Sequence, residues 1–101
     1  MNEKYELPIF KNSKMKFDYK DEFLMVLPNV KADDIKVTVE KGVLKVNVLS
    51  ESIFIASPGY AETTLKPYHD VARIRASVQR GVLTITVPYK EGTVTNVNVS
   101  E

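Results

Sequence analysis

The sequence predicts an all-β fold, a two-sheet β-sandwich, and three observations lead to this. The stretch IKVTVEKGVLKVNV (35–48) recurs as IRASVQRGVLTITV (74–87), at an offset of 39 residues and with six identical positions. Both copies alternate apolar and polar residues with period two, which is the pattern of a half-buried strand. No stretch of the sequence shows the sustained period of 3.6 residues that would predict a helix instead.

Each copy of the repeat is predicted to be a β-hairpin that turns at a basic residue followed by glycine. Glycine as the second loop residue supplies the positive φ that two-residue hairpin loops need. With Lys41-Gly42 and Arg80-Gly81 as loops, the predicted facing pairs are Val39–Leu44, Val37–Val46 and Ile35–Val48, then Val78–Leu83, Ala76–Ile85 and Ile74–Val87. Each hairpin then has one apolar face, and packing the two faces together gives a sandwich.

The remaining segments are also predicted to be strands and turns. Apolar and polar residues alternate over 15–19, which predicts a strand. Lys20-Asp21 is predicted to be a turn, and EFLMVL is predicted to be a strand that ends at Pro28-Asn29. The stretch 57–60, Ser-Pro-Gly-Tyr, fits a type II turn with Gly59 in its third position, followed by the strand YAETTLK. The predicted organisation is a short N-terminal arm (1–14), a sandwich domain (15–88) and a C-terminal tail (89–101).

Composition excludes several classes of function. The chain has 101 residues, and its 14 basic and 13 acidic residues are interspersed, which gives no electrostatic footprint for nucleic acid or an anionic membrane. There is no cysteine, so no disulfide framework is predicted. The N-terminal sequence has no signal-peptide core and no apolar run is long enough to span a membrane, so the protein is predicted to be cytoplasmic.

No group of residues predicts catalysis. His69 is the only histidine and is predicted to be a solvated loop residue, as is the acidic doublet Asp33-Asp34. No glycine-rich loop precedes a helix, and no His or Cys cluster could hold a transition metal. The protein is therefore predicted not to be an enzyme and to use no metal or cofactor, so its function should lie in its surfaces.

The motifs of the second hairpin resemble those of a known family. Ala76 followed by GVLTITVP (81–88) is similar to the α-crystallin domain of small heat-shock proteins. FLMVLPNVKADDIKVTVEKGVLKVNV (23–48) and LKPYHDVARIRA (65–76) extend the resemblance over about residues 17–99. Asn29 stands where the family usually has glycine, which is compatible because Asn also adopts the left-handed conformation. The resemblance implies an immunoglobulin-like sandwich that holds unfolding proteins without ATP.

The resemblance also implies candidate binding residues. An apolar groove between the first strands of the two hairpins would be lined by Val37, Val39, Ala76 and Val78. The tail motif that such a groove accepts would be Val97-Asn98-Val99, although these valines could instead continue a strand. The segment LPIF offers a client or assembly patch of Leu7, Ile9 and Phe10, or else docks on its own sandwich.

Two functions remain open at this point. The first is a chaperone that binds unfolded or partly folded client proteins and forms homo-oligomers, with a dimer as the building block, through tail-to-groove contacts. The second is an interaction module on the same fold without holding activity, such as a CS-domain-like co-chaperone or a subunit of a larger assembly. The short arm and the lack of the family's usual arginine in AETTLK favour the second function, whereas the Val-x-Val tail favours the first.

Overall fold

The computed structural model describes residues 5–12, 18–49, 59–92 and 97–100. Within these ranges the chain is built from β-strands, with short 3₁₀ turns at Ala32–Asp34 and Val71–Arg73. The strands in chain order are β1 (Tyr5–Glu6), β2 (Phe10–Asn12), β3 (Lys20–Val26), β4 (Ile35–Glu40), β5 (Val43–Val48), β6 (Gly59–Thr64), β7 (Arg75–Gln79) and β8 (Val82–Pro88). The all-β prediction is confirmed.

The strands form two four-stranded sheets with the orders β1-β6-β5-β4 and β2-β3-β8-β7. β1 runs parallel to β6, and the other pairings are antiparallel. Because side chains alternate between the two faces of a strand, each sheet turns one apolar row toward the other. The two rows together form a single buried cluster. The predicted two-sheet sandwich is confirmed. The cluster consists of Phe23, Met25, Leu27, Val30, Leu44, Val46, Val48, Ala61, Leu65, Leu83, Ile85 and Val87.

Both predicted hairpins form with the predicted loops. All four loop residues have positive φ: Lys41 (51°), Gly42 (77°), Arg80 (52°) and Gly81 (75°). Two consecutive residues with positive φ define the type I′ turn, whose twist matches that of paired strands. Val39 lies opposite Leu44 and Val78 lies opposite Leu83, as predicted. The second ladder begins at Arg75, so Ile74 lies just before it.

The turns on either side of β3 differ in how well the sequence predicts them. Asn29 has a φ of 62°, the left-handed conformation expected of it. The predicted turn at Lys20 and Asp21 is wrong, because both residues belong to β3 and the turn falls at Tyr19, whose φ is 57°. Asp21 continues the strand because its carboxylate has hydrogen-bond partners inside the domain. Residues 15–17 of the predicted preceding strand lie outside the described ranges.

The N-terminal arm is more closely joined to the sandwich than its sequence indicates. Residues 5–12 supply β1 to one sheet and β2 to the other. The predicted type II turn is wrong at Gly59, which begins β6 and does not have a positive φ. A glycine is needed there for a different reason: a Cβ on Gly59 would lie 2.5 Å from the Cδ1 atom of Leu7. Ser57 and Pro58 lie outside the described residues.

Candidate functional site

The four predicted groove residues lie on two edge strands that share one side of the sandwich. β4 ends the first sheet and β7 ends the second, and neither has an outer strand neighbour in the described part of the chain. Val37, Val39 and Val78 are half-buried and pack against the core, whereas Ala76 is exposed. We call these four residues the β4/β7 groove. The structure therefore leaves a partly exposed apolar row where the two sheets meet.

The two valines of the predicted tail motif are in solvent. Val97 is 80% exposed and Val99 is 91% exposed, so neither fills the groove of its own chain. Residues 97–100 carry no strand assignment, so these valines do not continue a strand. The single chain thus presents an apolar row and an apolar tail that do not contact each other.

The structure separates the three residues of the predicted N-terminal patch. Leu7 and Ile9 are half-buried and pack against the core, as the docking alternative expects. Phe10 instead points outward and is 56% exposed. It lies opposite Leu24 on the outer face of the second sheet, where Val26 is also 63% exposed. The apolar surface near the arm is therefore made by Phe10 and its neighbours on β3.

His69 is buried, which corrects the prediction of a solvated loop residue. Its side chain is 2% exposed, and its Nε2 atom lies 2.6 Å from the Oδ2 atom of Asp21, whose side chain is fully buried. The hydroxyl of Tyr89 donates to the other carboxylate oxygen of Asp21 at 2.9 Å. The Nζ atom of Lys11 on the arm lies 3.6 Å from Oδ2. A buried carboxylate is stable only with such partners, so this cluster ties β3 to both ends of the chain segment 69–89.

The hydrogen bonds of His69 determine its tautomer. The backbone amide of Lys66 donates to Nδ1 at 2.8 Å, so Nδ1 carries no proton and Nε2–H donates to Asp21. Both ring nitrogens are therefore used within the domain. In a catalytic triad the histidine accepts a proton from a nucleophile, but here the Tyr89 hydroxyl donates to the carboxylate and not to His69. The hydrogen bonds of this cluster join segments of the domain and thereby support its structure.

The same cluster fixes the start of the C-terminal tail. The Tyr89 amide donates to the Tyr19 carbonyl at 2.8 Å, and the Lys90 amide donates to the Tyr68 carbonyl at 2.7 Å. Arg73 donates to the Tyr89 carbonyl at 2.9 Å. The tail therefore leaves the sandwich from a defined point directly after β8.

Solved structures similar to this chain include small heat-shock proteins and an α-crystallin domain. A small heat-shock protein from Xylella fastidiosa aligns over 98% of this chain and 100% of its own, with 18% identity and a TM-score of 0.76. Heat shock protein 16.0 from Schizosaccharomyces pombe aligns over 96% of this chain and 77% of its own, with 19% identity and a TM-score of 0.72. The rat alpha crystallin domain aligns over 78% of this chain and 88% of its own, with 18% identity and a TM-score of 0.60. No protein-family model and no curated protein matches the sequence.

This chain has the α-crystallin domain fold. The resemblance seen in GVLTITVP (81–88) is thereby confirmed as a likeness of fold. No three His, Cys, Asp or Glu side chains of the described ranges are grouped so that they could hold a metal ion. Nor is any helix in those ranges long and apolar enough to cross a membrane.

An open depression beside Val39 is a poor site for an apolar tail. It has a volume of about 770 Å³ and lies on the outer face of the first sheet. Charged side chains line it, among them Lys36, Glu62, and the pair formed by Lys45 and Glu40 at 3.4 Å. Binding an apolar segment there would take charges out of water, so the β4/β7 groove is the better candidate.

The Tyr89 hydroxyl makes the stability of this sandwich depend on alkaline pH. Burial and the hydrogen bond to Asp21 raise the pKa of Tyr89 from an ordinary 10.0 to about 12. Because the folded state holds this proton more tightly than the unfolded chain does, the stabilisation is complete below pH 10.0 and is lost as the pH rises toward about 12. We expect the difference in unfolding free energy between the parent protein and Tyr89→Phe to shrink over that interval.

Urea unfolding followed by circular dichroism across this pH range would measure the difference. The two proteins differ only in this hydroxyl, so comparing them isolates the contribution of Tyr89. A difference that stays constant through the whole range would show that the Tyr89 proton is held no more tightly in the folded state.

Proposed function

We propose that this protein is an ATP-independent chaperone of the small heat-shock class. It would hold partly unfolded proteins and assemble through contacts between the tail of one copy and the β4/β7 groove of another. The observation that carries the proposal is the groove itself, where Val37, Val39 and Val78 remain half-buried at the meeting edges of the two sheets. An unpaired strand edge with an apolar row beside it is a surface that an extended segment can cover.

The tail has the spacing that such a groove requires. Val97 and Val99 are two residues apart, so an extended tail points both side chains to the same side. Both are at least 80% exposed in the single chain, so burying them in a neighbour removes apolar surface from water. Full burial of each valine would contribute about 1.5–2 kcal/mol, and the lost freedom of association offsets most of it.

One tail contact should therefore be weak and should exchange readily. Valine has one methylene fewer than isoleucine, which is a loss of about 0.8 kcal/mol for each site. For Val97 and Val99 together, the contact should be about tenfold weaker than that of an Ile-x-Ile tail. Stable assembly would need several such contacts acting together.

Clients would bind the exposed apolar surface of the second sheet. Phe10 is 56% exposed and Val26 is 63% exposed, and Leu24 lies between them on the same face. Exposed apolar residues grouped in this way are typical of interaction sites. The surface is small, which suits short contacts with partly unfolded chains.

The alternative is an interaction module on the same fold without holding activity. The packing of Leu7 and Ile9 against the core favours it, because the arm then offers clients less apolar surface than its sequence indicates. The two functions differ in one measurable property, which is the suppression of client aggregation.

The test is the light scattering of a heated model client mixed with an equimolar amount of this protein. We expect scattering to fall, and we expect Phe10→Ser/Val26→Ser to restore much of it because the client surface is lost. Leu49→Ser is the matched control, since Leu49 is also 58% exposed but lies elsewhere. Unchanged scattering with the parent protein would reject the chaperone and leave the interaction module.

The tail contact has a separate test. We expect Val97→Ala/Val99→Ala to shift the protein to smaller species without unfolding it, and Val97→Ile/Val99→Ile to favour larger ones. Asn98→Ala, between the two valines, should leave the mass unchanged. Multi-angle light scattering over a dilution series measures the mass, and thermal melts verify folding. If both double variants keep the parent's mass at every concentration, assembly does not use the tail.

A further inference from the structure

The side of the sandwich opposite the β4/β7 groove is closed by the protein's own arm. Without the arm, β6 would be the edge of the first sheet and β3 the edge of the second. β1 pairs with β6, β2 pairs with β3, and Leu7 and Ile9 between them pack against the core. We call the space that these two side chains fill, between β3 and β6, the arm seam. The arm is thus an extended apolar-x-apolar segment inserted where two sheets meet.

The arm seam has a recess shaped for one side chain. Gly59 leaves room for Leu7, because a Cβ there would lie 2.5 Å from its Cδ1 atom and 2.8 Å from its Cγ atom. The backbone supports the same placement, since the Leu7 amide donates to the Tyr60 carbonyl at 2.7 Å. The recess therefore accepts a branched apolar side chain carried by a segment that runs parallel to β6.

Between residues 5 and 12, the described part of the arm, few backbone pairs hold it in this seam. There β1 pairs with β6 through two residues and β2 pairs with β3 through three, whereas β3 pairs with β8 through seven. Short edge pairings open at a lower free energy than the central strands of a sheet. Each opening uncovers the recess at Gly59 and the edge of β6, which are then available to another segment of matching shape.

The geometry points to exchange of the arm between copies of this chain, with the arm of a second copy occupying the arm seam. An exchanged arm makes the same contacts as the original one, so the two states differ mainly in association entropy and in the connection to the sandwich. Seven residues separate Asn12 from Lys20 in the sequence, a length that spans at most about 25 Å. This link between copies is independent of the tail and of the β4/β7 groove.

Cysteine pairing can detect the exchange because the natural chain contains no cysteine. Glu6 and Tyr60 are register partners on β1 and β6, and neighbouring strands lie about 4.8 Å apart, within disulfide range. A Glu6→Cys protein mixed with a Tyr60→Cys protein can form this disulfide only if an arm from one copy enters the seam of another. We expect a covalent heterodimer at about tenfold or more above a mixture of Lys31→Cys with Tyr60→Cys, because the exchanged arm holds the two sulfurs together.

A chain that carries both Glu6→Cys and Tyr60→Cys shows whether the arm takes this register at all. It should close a disulfide within one chain, and its locked arm should no longer exchange. If that disulfide closes but the mixture gives no more heterodimer than the Lys31→Cys control, the arm stays on its own sandwich and the proposal is wrong. Repeating the mixture with Val97→Ala/Val99→Ala in both chains separates this link from the tail contact.

A separate experiment tests whether Leu7 of a second copy enters the recess at Gly59. Adding Gly59→Ala to the Tyr60→Cys protein should reduce the heterodimer about tenfold, because the new methyl group occupies the place of the Leu7 side chain. Adding Leu7→Ala to the Glu6→Cys partner should recover part of the loss, since the smaller side chain leaves space for the methyl group. An undiminished heterodimer with Gly59→Ala would show that Leu7 does not enter the recess of the second copy.

Discussion

Replacing His69 with alanine should lower the free energy of unfolding by about 2–5 kcal/mol, because a buried carboxylate that loses a hydrogen-bond partner costs about 1–3 kcal/mol or more and removal of the ring also leaves a cavity. The Asp21 side chain is fully buried, and its 2.6 Å contact with His69 is the shortest it makes. The substitution also leaves the Lys66 amide without the acceptor at Nδ1 that it has in the parent. Urea unfolding followed by circular dichroism measures the loss, and the chain has no tryptophan for fluorescence.

Two further variants show whether the loss comes from the buried pair. Asp70→Ala removes a neighbouring carboxylate that caps a 3₁₀ turn and pairs with the exposed Arg73, so it should cost only about 0.5–2 kcal/mol. In Asp21→Ala/His69→Ala, the loss should be smaller than the sum of the two single losses by about 0.5–3 kcal/mol. Additive losses would show that Asp21 and His69 do not depend on each other.

The hairpins could be predicted from the sequence because the residues that determine each one lie close together in the chain. Alternation with period two fixes which residues of a strand share a face, and a one-residue slip would reverse every side chain. The pair Lys41-Gly42 then fixes the loop, and the observed register of Val39 with Leu44 follows from both. The same holds around Arg80-Gly81, so a fold built largely from two hairpins could be predicted without a structure.

The buried cluster was missed because its members lie far apart in the chain. Asp21 and His69 are separated by 48 residues, and a charged residue beside Lys20 is more often found in a turn than in a core. One signal does exist: Asp21 is in phase with Phe23 and Met25, which face the interior. A charge on the inward face of a strand indicates a buried partner, and the only histidine of the chain was the natural candidate.

The pairing of the arm could not be predicted for a related reason. β1 contains two residues, too few to show a period, and the register partner of its Tyr5 is Gly59, 54 positions later in the chain. A Pro-Gly sequence is typical of a type II turn, so the sequence suggests that Gly59 is needed for the positive φ of such a turn. Its role is steric instead, because Leu7 occupies the position that a side chain would take.

The groove and the arm seam are the two open sides of one sandwich, and they differ in what covers them. Leu7 and Ile9 cover one side from within the same chain, whereas the tail valines stay in solvent and leave the other side uncovered. Any sandwich of two sheets leaves such sides where the edge strands meet. The described chain closes one of them by itself and leaves the β4/β7 groove open, which is why the proposed assembly uses the groove.

The second large effect is expected for Leu83→Ala, which should lower the free energy of unfolding by about 2–5 kcal/mol. Leu83 is 2% exposed on the inward face of β8, with Met25 and Val78 opposite it on the two flanking strands. The lost free energy has two parts. One is the hydrophobic transfer free energy of the atoms that are removed, and the other is the cost of the cavity that they leave, because the two sheets cannot fully collapse around it. A domain of this size has a total stability of about 5–15 kcal/mol, so the variant should melt well below the parent.

The matched control is Val26→Ala, on the outward face of β3 in the same sheet. Val26 is 63% exposed, and its truncation should change the stability by only about 0.5 kcal/mol because it removes little buried surface. Urea unfolding of both variants therefore tests the face assignment, since shifting β3 and β8 by one residue would exchange the roles of the two positions. If Val26→Ala costs as much as Leu83→Ala, the inward row of the second sheet is not the one described, and the placement of Val78 in the groove, which depends on the same register, is wrong with it.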